Sequence, residues 1–167
     1  IFLSAICFMT LFYGCEDDIY DNPLDPTSPD YIQPKTIIDP LDEVINTSSV
    51  IINWGPGPNV VEKLEYQNNF NNTEWTNWSL NTSETFDHLD EGHYTIQVKS
   101  RYKDSQDEET EPASASFEVN AISGPAFRVS PLKQEVNLNG GFYIEIIAEE
   151  VEGVRYFECI IEYDPQK

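Results

Sequence analysis

The stretch Leu89-Asp90-Glu91-Gly92-His93-Tyr94-Thr95-Ile96-Gln97-Val98-Lys99-Ser100-Arg101-Tyr102 decides the fold. Tyr94, Ile96, Val98, Ser100 and Tyr102 alternate with polar residues. A period of two places every second side chain on one face of a β-strand. Asp90-Glu91-Gly92 just before it is a turn signal. Tyr94 follows that turn at the start of the strand, a position suited to a tyrosine corner, in which the phenol hydrogen-bonds to upstream backbone. One long half-buried strand requires partners, and the chain on both sides supplies strand-like runs.

Working outward, strands are expected near residues 36–38, 49–54, 60–68, 75–80, 84–88, 93–102 and 115–120. Short strands separated by Asn, Asp, Gly and Pro are the signature of a sandwich, and seven of them in roughly 85 residues fit an immunoglobulin-like one. Val50-Ile51-Ile52-Asn53-Trp54 sets a large aromatic at the end of a half-buried strand, ahead of the breaker Gly55-Pro56. No stretch carries a sustained helical period, so the fold class is all-β.

These residues carry a resemblance. Residues 49–56 resemble the second strand of fibronectin type III domains. Residues 64–119 resemble the triple-tyrosine module, a fibronectin-like domain of bacterial periplasmic sensors. The matching residues are Leu64-Glu65-Tyr66, Trp75-Thr76-Asn77-Trp78, Leu89 through Val98, and Pro112 with Phe117-Glu118-Val119. The resemblance implies a fibronectin type III-like sandwich over 36–121. In the sensors the module follows a β-propeller, no repeats of which occur here, so the sensor role does not follow from the fold. Trp75 and Trp78, with Tyr66 and Phe70, offer an aromatic platform on which sugar rings would stack; the alternative is that they cover an edge of the sandwich.

The chain opens on Ile1-Phe2-Leu3-Ser4-Ala5-Ile6-Cys7-Phe8-Met9-Thr10-Leu11-Phe12-Tyr13, an uncharged run. It is too short for the about 20 residues that span a bilayer and matches the apolar region of a signal peptide. Leu11-Phe12-Tyr13-Gly14-Cys15 resembles the lipobox of bacterial lipoproteins, with a small residue before the cleaved bond and a thiol after it; Phe12 and Tyr13 depart from the stricter pattern. The expectation is a signal peptide over 1–14, its charged leader missing, and a lipid anchor on Cys15. Such an anchor carries more than one acyl chain, enough for stable membrane attachment. The acidic residues Glu16-Asp17-Asp18 resemble a signal for transfer to the outer face of the outer membrane. Residues 15–35, rich in Pro and Asp, are expected to form an extended tether.

From Ala126 a second module begins, with a short strand, a turn and two long strands. Phe142, Ile144, Ile146 and Ala148 line one face, and Phe157, Cys159, Ile161 and Tyr163 another. The order Val129-Ser130-Pro131, Val136 through Gly140, an alternating apolar strand, then Tyr163-Asp164-Pro165 resembles the opening of cohesin domains. Those are jelly-roll sandwiches that bind dockerin modules in polysaccharide-degrading assemblies. The resemblance implies a truncated cohesin-like domain over 126–167. Strands without a facing sheet leave open edges, so Tyr143, Ile147 or Ile160 should be unusually exposed. Cys159 is expected to be a small core residue, and with Cys15 lipidated no disulfide framework exists in the mature chain.

Thirty acidic against nine basic residues give a net charge of -21. That excludes a nucleic-acid partner, which demands a basic face. No P-loop, nucleophile elbow, zincin or dinucleotide fingerprint occurs, so no catalytic residue is assigned and the chain is not expected to be an enzyme. His88 and His93 flank a turn that would point them apart. Asp104, Asp107, Glu108, Glu109 and Glu111 form an acidic loop; calcium is a weak alternative to a solvated hairpin tip, because EF-hand spacing is absent. The sequence therefore points to a non-enzymatic cell-surface lipoprotein that binds carbohydrate or a dockerin-type partner in polysaccharide processing. The alternatives are a spacer or adhesion stalk for a further domain, and the non-catalytic part of a secreted hydrolase.

Overall fold

The computed structural model describes residues 22–103 and 105–162. The signal peptide, Cys15, Asp104 and the Tyr163-Asp164-Pro165 run lie outside the described residues. Within them the chain is all-β, with nine strands: β1 Thr36–Ile38, β2 Val44–Ile45, β3 Val50–Pro56, β4 Leu64–Phe70, β5 Ser83–Phe86, β6 Gly92–Tyr102, β7 Ala113–Val119, β8 Ala126–Ser130 and β9 Glu145–Glu149. The first seven form two sheets, one ordered β1-β3-β5 and one ordered β2-β7-β6-β4. The pairs are antiparallel except β2, which runs parallel to the end of β7.

The two sheets face each other as a sandwich, and the period-two patterns supply the core. Val50, Ile52 and Trp54 of β3 face Leu64 and Tyr66 of β4, Ile96, Val98 and Tyr102 of β6, and Phe117 and Val119 of β7. Ile52, Ile96 and Val98 are completely buried. Each such side chain contributes about 1.5–3 kcal/mol relative to exposure. The buried indole of Trp54 is satisfied, its Nε1–H donating to the Asn81 carbonyl at 3.0 Å. One end of the core is aromatic. Phe70 stacks on Phe86 at 4.0 Å between ring centres, and Tyr94 lies 5.5 Å from Phe70 and 5.7 Å from Phe117. Such pairs contribute about 0.5–1.5 kcal/mol beyond their buried area.

The structure departs from the sequence expectations in three places. Residues 75–80 form no strand; the segment meets β4 through a bridge between Tyr66 and Ser79 and through hydrogen bonds between Thr76 and Asn68. Trp75 and Trp78 are three residues apart, and placing both on one surface is incompatible with a period of two. The strand expected from residue 60 starts at Leu64, after Asn59 takes a left-handed φ of 67°.

The second departure is the tether. Residues 22–35 do not extend as a stalk but fold against the sandwich. Asn22 and Asp25 side chains accept from Leu24 N–H (3.0 Å) and Thr27 N–H (2.8 Å), closing successive Asx turns. Ile32 N–H donates to the Pro23 carbonyl at 2.9 Å and shuts the loop. Leu24 and Tyr31 pack on the core, Pro34 is fully buried, and Tyr102 donates its hydroxyl to the Ile32 carbonyl at 2.8 Å. Asp25 is held below the usual carboxylate range by the backbone N–H and then the hydroxyl of Thr27.

The third is the second module. β8 and β9 pair as a two-stranded sheet, with Arg128 Nε donating to Glu149 at 3.0 Å and Phe127 stacked on Phe157 at 4.9 Å. The alternating run 142–150 becomes strand only from Glu145, and 157–162 has no strand partner among the described residues. A strand needs a ladder to exist, and here none is supplied. Tyr143 is 67 % exposed and Ile160 79 %, while Ile147 is partly buried against β8. Cys159 is exposed rather than in a core. The Asp90-Glu91 turn of the first module holds the joint: Asp90 accepts from Leu132 N–H at 3.2 Å and Glu91 from Ile122 N–H at 2.8 Å.

Candidate functional site

The outer face of the four-stranded sheet carries the candidate site. In the β4–β6 register Glu65 lies opposite Arg101, Gln67 opposite Lys99 and Asn69 opposite Gln97. These alternate with the core residues, so they face away from the sandwich interior. Residues 71–80 lie alongside this face and bring Trp75 and Trp78 onto it. Thr76 N–H donates to the Asn68 carbonyl at 2.9 Å, and Tyr66 and Ser79 exchange backbone bonds of 2.7 and 3.0 Å.

There the two indoles interleave with the two cations. Lys99 Nζ lies 4.9 Å from the centre of the Trp75 ring and 5.5 Å from that of Trp78, and the Arg101 guanidinium carbon lies 4.4 Å from Trp78. Arg101 also donates twice to Glu65 Oε2, at 3.0 and 2.9 Å, and Lys99 pairs with Glu108. A cation over an indole is worth roughly 0.5–2 kcal/mol depending on desolvation. Trp78 is engaged by both cations and Trp75 by Lys99 alone. Both indoles are half-buried. Beside them Asn69 donates Nδ2 to the Thr73 carbonyl at 2.7 Å, and its Oδ1 is buried without a hydrogen-bond partner among the described residues.

Tyr66 and Phe70 do not join the indoles. Tyr66 is a buried core residue and Phe70 belongs to the aromatic stack, so both point to the opposite side of the sheet. Tyr94 also faces inward. Its hydroxyl donates to the Asp90 carbonyl at 2.9 Å, across the turn that precedes β6. Burial raises its phenol above the ordinary range.

The acidic loop divides. Glu108 stays at the surface with Lys99, whereas Glu109 turns inward and is only 6 % exposed. Its carboxylate accepts from Thr36 N–H (3.0 Å), the Thr36 hydroxyl (2.6 Å), Ser100 N–H (3.1 Å) and the Ser100 hydroxyl (3.1 Å). Glu109 thus ties β1 to β6, and with burial as the larger cause it pushes the Tyr66 phenol up to about 12. The solvated-tip reading fails for this residue. A signal was present: Ser100 interrupts an otherwise apolar inward stripe, and a buried hydroxyl implies a polar partner.

The remaining titratable groups do not converge. Among the described residues no group of three His, Cys, Asp or Glu side chains is arranged to hold a metal ion. His88 Nδ1 pairs with Asp87 at 2.8 Å, which holds the Asp87 carboxyl below its usual range, and His93 is exposed opposite Glu118 of β7. Cys15 lies outside the described residues, and no described helix is long and apolar enough to cross a membrane. No protein-family model matches the chain, and no curated protein or solved structure is significantly similar to it.

Proposed function

We propose that the chain is a non-catalytic binding and scaffolding part of a lipid-anchored protein displayed outside the cytoplasm and linked to polysaccharide processing. The observation that carries this reading is the half-buried indole pair, partly open to solvent on the outer sheet face. Trp75, braced on one side by Lys99 and set on a face with Gln67 and Gln97, presents apolar ring surface beside amide donors and acceptors. Sugars offer the complement, an apolar ring face rimmed by hydroxyls. Trp78, held by two cations, acts as the brace of the platform. In this reading the β1-β3-β5 and β2-β7-β6-β4 sheets are an immunoglobulin-like, fibronectin type III-like sandwich, and β8 and β9 open a cohesin-like module whose exposed apolar strands would receive a dockerin-type partner. Cys15 would be the anchor.

A glycan array probed with the chain tests the carbohydrate role, followed by affinity electrophoresis with the Trp75→Ala variant. Binding to a polysaccharide class that Trp75→Ala weakens about tenfold supports the reading; binding that survives the substitution, or none, removes the sugar role from Trp75 and Trp78. A spacer role has its own support in the joint. Asp90 and Glu91 of the first module hold Leu132 and Ile122, and Arg128 lies 4.0 Å from Asp90, contacts that would tie successive modules of a stalk together.

A further inference from the structure

The side of the sandwich where β1 and β7 come together leaves strand edges open. Glu118 N–H donates to the Glu43 carbonyl and Asn120 N–H to the Ile45 carbonyl, both at 2.9 Å. Residues of that parity turn their N–H and C=O away from β6, so Ser114 and Ser116 do the same. β2 covers β7 only at Glu118 and Val119. No strand among the described residues stands opposite Ser114 and Ser116. On the other bank, among the described residues, β1 pairs with β3 alone. Asp39 N–H goes to the Asn53 carbonyl at 2.9 Å, so Ile38 turns its backbone groups away from β3. Between the banks runs a groove of about 550 Å³, bounded by Ile38, Asp39, Glu109, Glu111, Ser114 and Ser116.

We propose that this groove docks an extended peptide carrying Lys or Arg, which adds as a strand to the free edge of β7. An open edge with small side chains is a template for main-chain pairing. Ser114 and Ser116 are small and exposed, so nothing bulky stands over their N–H and C=O groups. Pro112 closes one end of the edge and β2 the other, which limits pairing to a few residues and makes the contact weak and reversible. Charge selects the occupant. Asp39 and Glu111 stand exposed along the groove, whose one lining cation is Lys35, and the buried carboxylate of Glu109, bonded to Thr36 and Ser100, adds its charge from beneath. A second copy of this chain, at a net charge of -21, is repelled, whereas a basic segment is drawn in. The proposal rests on no part of the carbohydrate reading, since the indoles occupy the outer face of β4 and β6.

The test uses the whole chain, labelled for amide NMR, and a capped hexapeptide alternating Thr and Val with Lys at both ends. At millimolar peptide and low salt, the Ser114 and Ser116 amides should shift and exchange at least tenfold more slowly. Replacing the lysines by glutamates should weaken binding about tenfold, a difference that narrows at high salt. Methylating the peptide nitrogens on one edge should abolish binding. Ser114→Pro should do so too: it removes one outward N–H at a position where an edge strand tolerates proline. If that variant does not fold, the methylated peptide decides. Unmoved Ser114 and Ser116 amides, or equal binding of the methylated peptide, would overturn the site. Equal binding of the glutamate peptide would overturn the basic occupant, as would shifts at these amides that grow with protein concentration alone.

Discussion

The two modules start from the same kind of sequence and end differently. In the first, Ile52, Ile96 and Val98 are completely buried; in the second, Leu138 is 94 % exposed and Tyr156 and Ile160 are each 79 % exposed. Residues 94–102 alternate apolar and polar positions, and residues 142–148 carry apolar side chains at every position but Glu145. The first run has β4 on one side, β7 on the other and a whole sheet across from it. Among the described residues β9 has only β8. Alternation states which face would be buried; a facing layer decides whether it is. Two-stranded sheets alone are marginal, and contiguous exposed apolar surface is the mark of an interaction site, for protein, membrane or ligand.

The sharpest way to break this contrast is to open the first core at its polar centre. Glu109→Ala leaves the N–H and hydroxyl groups of Thr36 and Ser100 buried without their acceptor. The expected cost is about 3–5 kcal/mol in chemical unfolding. A loss below 1 kcal/mol would mean that β1 is not held to β6 through this carboxylate. Glu109→Gln keeps one acceptor oxygen and should cost less.

Alkaline pH probes the same region. The Tyr66 phenol is raised to about 12 by burial and then by Glu109, against about 10 in the unfolded chain. The folded state therefore holds this proton more tightly. The stability it contributes is fully present below pH 10 and is lost as pH rises toward 12, by up to about 2–3 kcal/mol. Tyr66→Phe should flatten that loss; a wild-type unfolding profile level from pH 10 to 12 would contradict it.

Much of the first module was legible because its signals are local. The period of two in β3 and β6, the Gly92 turn and the position of Tyr94 all act within a few residues. What escaped depended on contacts distant in sequence. The Asn22, Asp25 and Pro34 segment has the composition of a stalk, yet its Asx turns compact it and Tyr102 binds it from 70 residues away. Glu109 sits in a run of acids that reads as solvated, and only the donors on Thr36 and Ser100 explain its burial. Trp75 and Trp78 were recognisable as a pair, but the interleaved Lys99 and Arg101 come from the strand pairing, which brings residues over 20 positions apart onto one face.

Smaller effects sharpen the comparison further. Tyr94→Phe removes one hydrogen bond to the Asp90 carbonyl and keeps the ring in its aromatic stack, so it should cost about 1 kcal/mol. Ile160→Ser in the second module should change the unfolding of the first by less than about 0.5 kcal/mol, as expected for an exposed position, and should lower any tendency of the chain to associate. A loss of several kcal/mol there would place Ile160 in a core.

Amide hydrogen exchange followed residue by residue tests the central claim most directly. If the first module is a closed sandwich and the second an uncovered surface, the amides of β3, β4, β6 and β7 that are hydrogen-bonded between strands exchange only through global opening, while the outward Ser114 and Ser116 amides of β7 exchange faster. Those of 132–144 and 150–162 exchange within seconds, and gain protection when a partner is added. Equal, slow exchange in both modules of the isolated chain would contradict the account.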